Sequence, residues 1–392
     1  MRVAYFVHDL NDPAVARRIM MLHAGGLDVV ATGFWRGLEP PRTIAGAPSV
    51  PLGRSFDGRL VHRGLSTLRH ALTARSLLKE LGAADLFVAR NLEMLAIATA
   101  AKRRSARTIP LVYEVLDIHR SLLGKDVKGR ALRMIERGLL KDAALLVTSS
   151  PAFQREYFER PEFDFPRVPT LIVENKLLQT GSDGARCAQS EVAPGPPWRI
   201  GWIGMIRCRR SLQLLGRLAL RRPDLVSIEI HGRPASPLGK SLEQDIRRIP
   251  SLRFQGGYGP EDLEQIYSSL HFNWAIDYFE ENGNSEWLLP NRIYEGGGFD
   301  AVALALRRTE TGRWLGERGL GIWFDDPSTE LEPFLEQLTP ERYRTLKRSA
   351  RAVPRSFFVA ERADCTRLAW VLMKLAHQPY QADGRETARR AA

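Results

Sequence analysis

The chain has 392 residues, 44% of them hydrophobic and 26% charged, values that exclude extended disorder and, at about 150 residues per domain, favour two domains. No run of about 18 apolar residues occurs, and the opening MRVAYFVHDL lacks the basic-then-apolar order of a signal peptide, so the chain is read as cytoplasmic. Cys187, Cys208 and Cys365 are widely spaced and form neither a CxxC nor a Cys/His pair at zinc spacing, so neither a disulfide framework nor a structural metal is implied.

The net charge of +12 sits mostly in residues 1–180, where 27 Lys and Arg face 18 Asp and Glu. Such an excess attracts phosphates of nucleic acid, anionic lipid or a pyrophosphate-linked ligand, although an arginine-rich background produces the same balance. Nucleic acid is disfavoured as the partner, because aromatic residues are not interleaved with the basic clusters and neither a helix-turn-helix nor a zinc pattern is evident.

In chain order, the apolar VAYFVH predicts a strand, followed by a helix through Leu22 and a second strand at LDVVATGF. Residues 36–58, rich in Pro and Gly, are expected to form a loop. A helix to Leu81, the strand ADLFVARN, another helix, and the strands PLVYEVLD, ALLVTSS and TLIVENK complete the half, with a Pro-started helix after VTSS. Strands alternating with helices argue for a parallel sheet covered on both faces. Residues 180–197 have few large apolar side chains and read as the linker. After it the pattern restarts with WRIGWIG, a helix through Leu220, VSIEIHG, a helix, LRFQGGY, a helix at 260–270 and HFNWAID. The expected domains are therefore 1–180 and 195–356, followed by an apolar-periodic helix within 357–380 and a polar tail expected to fray.

Four stretches carry groups suited to chemistry. In WRIGWIGMIRCRRS a strand runs into Gly201 and Gly204, then Arg207, Arg209 and Arg210; small residues admit close backbone approach, and cations at a helix start stabilise a diphosphate leaving group. In EENGNSEWLLPNRIYEGGG, Pro290 is placed to open a helix carrying Asn291, Arg292, Tyr294 and Glu295, whose first turn offers N–H groups to a phosphate. Glu295 could accept two hydrogen bonds from ribose hydroxyls, and Asn284, Ser285 and Glu286 could meet the sugar or the phosphates.

The third stretch, LVYEVLDIHRS, delivers Glu114, Asp117, His119 and Arg120 at a strand end, the ligand crevice of an open parallel sheet. Either Asp117 or His119 could take a proton from an acceptor hydroxyl; a helix cap is the alternative use of both. The fourth, VHDLNDPAVARR, holds His8, Asp9 and Asn11 at the end of the first strand, on the acceptor side, and Asp12 before Pro13 reads as an N-cap.

Taken together, VAYFVHDLNDPAVARR, EVLDIHR, VTSSPAF, GWIGMIRCRRS and above all NSEWLLPNRIYEGGG resemble GT-B glycosyltransferases of the large family-4-like group, especially bacterial exopolysaccharide enzymes of the succinoglycan-biosynthesis type. The resemblance spans most of residues 1–355. It implies two Rossmann-like α/β domains about a central cleft, with the closing helix crossing back onto the first. It further implies a UDP- or GDP-linked sugar on the second domain with Arg207 at the diphosphate and Glu295 at the ribose, a retaining hexosyl transfer, and no metal or other cofactor. The acceptor it implies is a lipid-pyrophosphate oligosaccharide, with the enzyme peripheral on the inner membrane. The sequence departs from the family where Trp287 stands eight positions before Glu295, and where Asp300 and Val302 replace a Gly-x-Pro turn. A noncatalytic nucleotide-binding module and a GT-B epimerase are the alternatives.

Overall fold

The computed structural model describes residues 1–54, 74–180, 192–235, 246 and 249–377. The linker's centre, the helix expected before LRFQGGY and the C-terminal tail lie largely outside these residues.

The first half is built on an eight-stranded sheet. Its strands are β1 (Arg2–Val7), β2 (Asp28–Trp35), β3 (Thr43–Ile44), β4 (Ala47–Arg54), β5 (Leu86–Arg90), β6 (Leu111–Val115), β7 (Leu145–Thr148) and β8 (Thr170–Ile172). The order is β3-β4-β2-β1-β5-β6-β7-β8, parallel except for the β3–β4 pair. Alternate residues feed two cores, as a two-residue period demands. Ala4 and Phe6 pack with Phe87, Leu111 and Tyr113 on one face, while Val3, Tyr5 and Val7 pack with Val29, Val88 and Val112 on the other. The expectation of a loop over 36–58 is corrected here. Part of it forms β3 and β4, and β4 extends the sheet beside β2, so that the Pro- and Gly-bearing strand lies near the sheet's edge, where missing N–H groups are tolerated.

The second half repeats the plan. Strands β9 (Leu177–Leu178) and β10 (Trp198–Ile206) are followed by β11 (Val226–Pro234), β12 (Leu252–Gly256), β13 (Phe272–Trp274), β14 (Val302–Leu306) and β15 (Ile322–Phe324). All but β9 form a parallel sheet ordered β12-β11-β10-β13-β14-β15. Trp198, Trp202 and Trp274 fill one core face.

Two crossings tie the halves together. The short strand β9, leaving the first half, pairs in parallel with β16 (Val359–Ala360), leaving the second. The closing helix Arg362–His377 then buries Cys365, Leu368, Ala369 and Leu372 in the first half's core against the helix Pro13–Ala24. At that contact Gly25 is required. A Cβ there would stand 2.6 Å from both the Ala369 Cβ and the Cys365 carbonyl oxygen.

Each sheet reverses its winding once: strands 1, 2 and 4 lie to one side of the reversal in the first half and strands 5–8 to the other, while the second half reverses between β10 and β13. In open α/β sheets ligands bind at this switch point, outside the carboxyl ends of the strands. His8, Asn91 and Asp117 follow the strands at the first switch, and Arg207 and Asp277 follow those at the second.

Candidate active site between two switch points

The first switch point opens into a cavity of about 450 Å³. His8, Arg36, Asn91, Asp117, His119 and Lys128 supply its polar wall, while Leu92, Val115, Ile118, Leu122 and Leu132 supply an apolar one. The sequence-selected His8, Asp117 and His119 thus meet in one place. Burial draws the His8 imidazole below its ordinary value, with Asp12 and Asp117 opposing and Arg90 assisting. Its Nδ1 is buried without a hydrogen-bond partner among the described residues, so a neutral ring faces the site with a nitrogen to spare. His119 instead caps the helix Arg120–Leu123, its Nδ1 accepting from the Ser121 amide at 3.2 Å. Asp12 is the N-cap of Pro13–Ala24, accepting from the Ala14 amide at 2.9 Å.

Asp9 and Asn11 act one step removed. The Asp9 carboxylate lies 3.1 Å from Arg36, and the Asn11 side-chain oxygen accepts from the Arg36 amide at 3.1 Å, so both hold a residue of the cavity wall. Asn91 carries a φ of +70° and its buried side-chain oxygen has no partner among the described residues. A non-glycine residue held there is under strain of the kind concentrated at ligand sites.

Two buried carboxylates brace the cavity from below. Glu114 accepts from the Tyr5 hydroxyl, from Arg18 at 2.6 Å and from Arg90 at 2.8 Å, joining β1, β5, β6 and the first helix. Burial alone would raise its carboxyl, but Arg90 and Arg18 hold it down at about 2. Glu136 has no ion-pair partner among the described residues, and Arg133 offsets its burial only in part. It accepts from the hydroxyls of Tyr113 at 2.7 Å and Tyr157 at 2.5 Å, and burial pushes its carboxyl up to about 7.

At the second switch point Arg207, beyond β10, reaches Asp277, beyond β13, at 2.8 Å, with its guanidinium 4.9 Å from the centre of the Phe279 ring. The Asp277 carboxyl, which burial would raise, is held below the ordinary range by Arg207 and Arg292. Close approach of the backbone here depends on glycine. Gly232 has a φ of +145°, and a Cβ on it would lie 1.6 Å from the Gly204 carbonyl oxygen. Arg209 is exposed at the first position of its helix, whereas Arg210 turns to Glu281 at 2.9 Å and stacks 4.1 Å from the Tyr278 ring.

Pro290 is the N-cap, one position before the first helical residue, of the helix Asn291–Gly298, with Asn291 exposed at its start. Arg292 donates to the Trp274 carbonyl at 3.1 Å. Glu295 accepts from the Tyr267 hydroxyl at 3.2 Å; burial raises its carboxyl, against the pull of Arg17 and Arg292. Arg17 belongs to the first half, so Glu295 faces across the cleft.

The segment between β13 and that helix docks the halves. The Asn284 side-chain oxygen accepts from the Ile118 amide at 3.1 Å, and the Ser150 hydroxyl donates to the Trp287 carbonyl at 2.5 Å. The Trp287 ring is buried in the first half's core. Ser285 accepts from the Glu280 amide at 3.0 Å. Asn284 and Ser285 thus each hold this segment through a side-chain oxygen, and Trp287 occupies its position for packing. Glu286 is taken by Arg308 at 3.2 Å.

Glu280, which sequence reasoning passed over, lies in the cleft. Burial raises its carboxyl, Arg207 lowers it, and Asp117, His119 and Arg120 act on it from the facing half. A signal was present: Glu280 lies in the segment that follows β13, three residues after Asp277, a setting related to the one that singled out Asp117. For Arg17 no such signal exists, since its relation to Glu295 is set by docking of the two halves. Among the described residues no three His, Cys, Asp or Glu side chains converge where a metal ion could sit.

Residues 13–176 match the glycosyl transferase 4-like domain family. Over 387 residues the chain is 42% identical to the succinoglycan biosynthesis protein ExoL of Rhizobium meliloti (strain 1021), covering 97% of this chain and 95% of that protein. In three dimensions it is similar to sucrose-phosphate synthase from Thermosynechococcus elongatus, with a TM-score of 0.70 at 12% identity over 96% of this chain and 99% of that one. It is also similar to Anabaena HepE in complex with UDP-glucose, with a TM-score of 0.66 at 14% identity over 95% and 99%. The fold, two parallel α/β sheets meeting at their switch points with a returning terminal helix, is GT-B.

Proposed function

The chain belongs to the glycosyltransferase 4-like family and is a glycosyltransferase; on that premise we propose that it moves a hexose from a UDP- or GDP-sugar to a lipid-pyrophosphate-linked oligosaccharide at the inner membrane face, in exopolysaccharide assembly. The observation that carries the reading is the opposition of the two switch points, with Arg207 and Glu295 on one side and His8 and Asp117 on the other. The UDP-glucose complex of a similar fold and the succinoglycan-biosynthesis name of the relative support the donor and pathway class.

In this reading the nucleoside diphosphate lies against the second half. Glu295 accepts from the ribose hydroxyls, and Arg207 with the amides at the Pro290 helix start take up the charge that develops as the bond from the anomeric carbon to the diphosphate oxygen breaks. Asn291, Arg292 and Gly204 line the approach. The acceptor hydroxyl, held in the first half's cavity, forms the new bond to the anomeric carbon and gives its proton to a neighbouring base. Asp117 and the neutral His8, which line that cavity, are placed to accept it; His119 has one ring nitrogen occupied in capping. Glu280 stands between the two sets of charges and orients the donor sugar. Cationic side chains and the helix end replace a metal at the leaving group, and the hexose is transferred with retention, the acceptor hydroxyl entering on the same face of the anomeric carbon that the diphosphate leaves.

The test is donor binding by calorimetry with a panel of UDP- and GDP-sugars against Glu295→Ala and Asp117→Asn. The reading expects one donor whose affinity falls at least tenfold in Glu295→Ala and is kept in Asp117→Asn, for a group on the order of 1.4 kcal/mol or more. Equal affinity in Glu295→Ala would sink the ribose assignment, and binding of no donor would sink the transferase reading.

A further inference from the structure

Asp117, one of the two groups placed to take the acceptor's proton, stands on the short loop between β6 and the helix Arg120–Leu123. Within that loop Ile118 is buried, while Asp117 and His119 on either side of it are exposed and line the cavity. Whatever holds the Ile118 amide therefore fixes where both side chains emerge. That amide donates to the Asn284 side-chain oxygen at 3.1 Å, across 166 residues of sequence and from the opposite half of the molecule. Asn284 is itself only 3% exposed, so the bond lies away from water, where an unmet amide is costly.

Asn284 is presented by a braced segment of the second half. The segment starts where the Asp277 carboxylate accepts from the Phe279 amide at 3.0 Å. It folds on itself through the Ser285 hydroxyl, which accepts from the Glu280 amide at 3.0 Å, and the Asn284 carbonyl, which accepts from the Leu288 amide at 3.0 Å. It ends where the Thr311 hydroxyl donates to the Leu288 carbonyl at 3.2 Å. The same segment carries Glu280 in the cleft and runs into the Pro290 helix start. Its fit against the first half is close, since a Cβ on Gly283 would stand 3.0 Å from the Leu123 side chain. The Ser150 hydroxyl, donating to the Trp287 carbonyl, docks the segment a second time without a hydrogen bond to the Asp117 loop.

We infer that Asn284 is a positioning residue for the transfer: from the second half it sets the Asp117 carboxylate in the acceptor cavity, so the base is in place only while the halves are docked. The inference deepens the transfer reading given above and rests on it. A plain docking role makes a different demand. Every bond that seats the segment would then matter alike, and the Ser150 bond, equally buried, measures that role. Under positioning, loss of the Asn284 oxygen displaces the base and leaves Arg207 and Glu295 as they were. A displacement of about 1 Å at a reacting group costs on the order of 10² in rate.

The test is transfer by the full chain from UDP- and GDP-sugars to a lipid-pyrophosphate oligosaccharide, at saturating donor and acceptor, in N284L, N284A, N284D and S150A. Donor affinity is read by calorimetry and hydrogen exchange over residues 116–122 by mass spectrometry. Leucine matches asparagine in size, and alanine serves should leucine disturb the fold; neither offers an oxygen, whereas aspartate keeps one. N284L and N284A are expected to lose on the order of 10² in kcat, with donor affinity unchanged and faster exchange over 116–122. N284D is expected to recover both, and S150A to keep turnover and slow exchange. Equal losses in N284L and S150A would overturn the inference by reducing Asn284 to docking. A fall in donor affinity matching the fall in kcat would overturn it by returning Asn284 to the donor site, and normal turnover in N284L would overturn it outright. No transfer by the unaltered chain would instead sink the transfer reading, with the exchange rates still deciding whether Asn284 holds the loop.

Discussion

Replacing Arg207 with alanine separates two roles that the geometry allows, a tie between strands and a ligand for a leaving diphosphate. The Asp277 side chain is 5% exposed and its partner guanidinium 26%. Breaking a fully buried pair costs about 3–5 kcal/mol; with a quarter of the arginine open to solvent, the loss of stability is set at about 2 kcal/mol. The cost is largest at neutral pH, because Asp277 is charged there and the variant leaves it buried with Arg292 alone to lower it. A preorganised donor at the developing charge is worth on the order of 10² in rate. Arg207→Ala should therefore lose about 2 kcal/mol of stability in urea unfolding and roughly 100-fold in nucleoside diphosphate release. Asp277→Asn should lose comparable stability yet keep its turnover within about tenfold, since the guanidinium survives. An Arg207→Ala enzyme that is destabilised but turns over normally would reduce Arg207 to a structural tie and refute the assignment.

Other consequences are separable by simple measurements. Glu136, raised to about 7 by burial, binds its proton more tightly folded than unfolded, so its contribution to stability is present below the unfolded value and lost as pH rises through about 7. Glu136→Gln should remove a decline of up to about 3 kcal/mol between acid and alkaline pH, read by denaturant unfolding across that range. Trp287→Ala should cost about 3–5 kcal/mol and, because its ring belongs to the facing half's core, loosen the docking of the two halves, seen as faster proteolysis between them. Gly232→Ala should abolish donor binding, since its Cβ cannot coexist with the Gly204 carbonyl; near-normal affinity measured by calorimetry would contradict this.

The alternation of strands and helices was legible because each buried strand is a short apolar run and each helix keeps its own period, so the two sheets, the Pro290 helix and the Asp12 cap could be placed from sequence. The strands β3 and β4 were not, because near a sheet's edge Pro and Gly are tolerated and mimic a loop. At the site, residues following strand ends were readable one half at a time, which singled out Asp117 and Arg207 as candidates. What sequence could not supply was the pairing of the halves. Asn284 looked like a sugar ligand because it is polar and lies in a Gly-rich turn, yet its oxygen meets the Ile118 amide only once the halves dock. Trp287 looked only like a departure from the family pattern until docking put its ring in the facing half's core, and Glu280 gained its meaning from Asp117 and His119 on the opposite side.

The central claim is that the opposed switch points transfer a sugar from a nucleotide. Incubating the purified chain with each UDP- and GDP-sugar and a lipid-pyrophosphate oligosaccharide, and following nucleoside diphosphate and extended lipid together by chromatography, tests it most directly. The account predicts that one donor yields both products in equal amounts and that Arg207→Ala suppresses both; donor binding without either product would contradict it and leave a nucleotide-binding protein in the shape of a transferase.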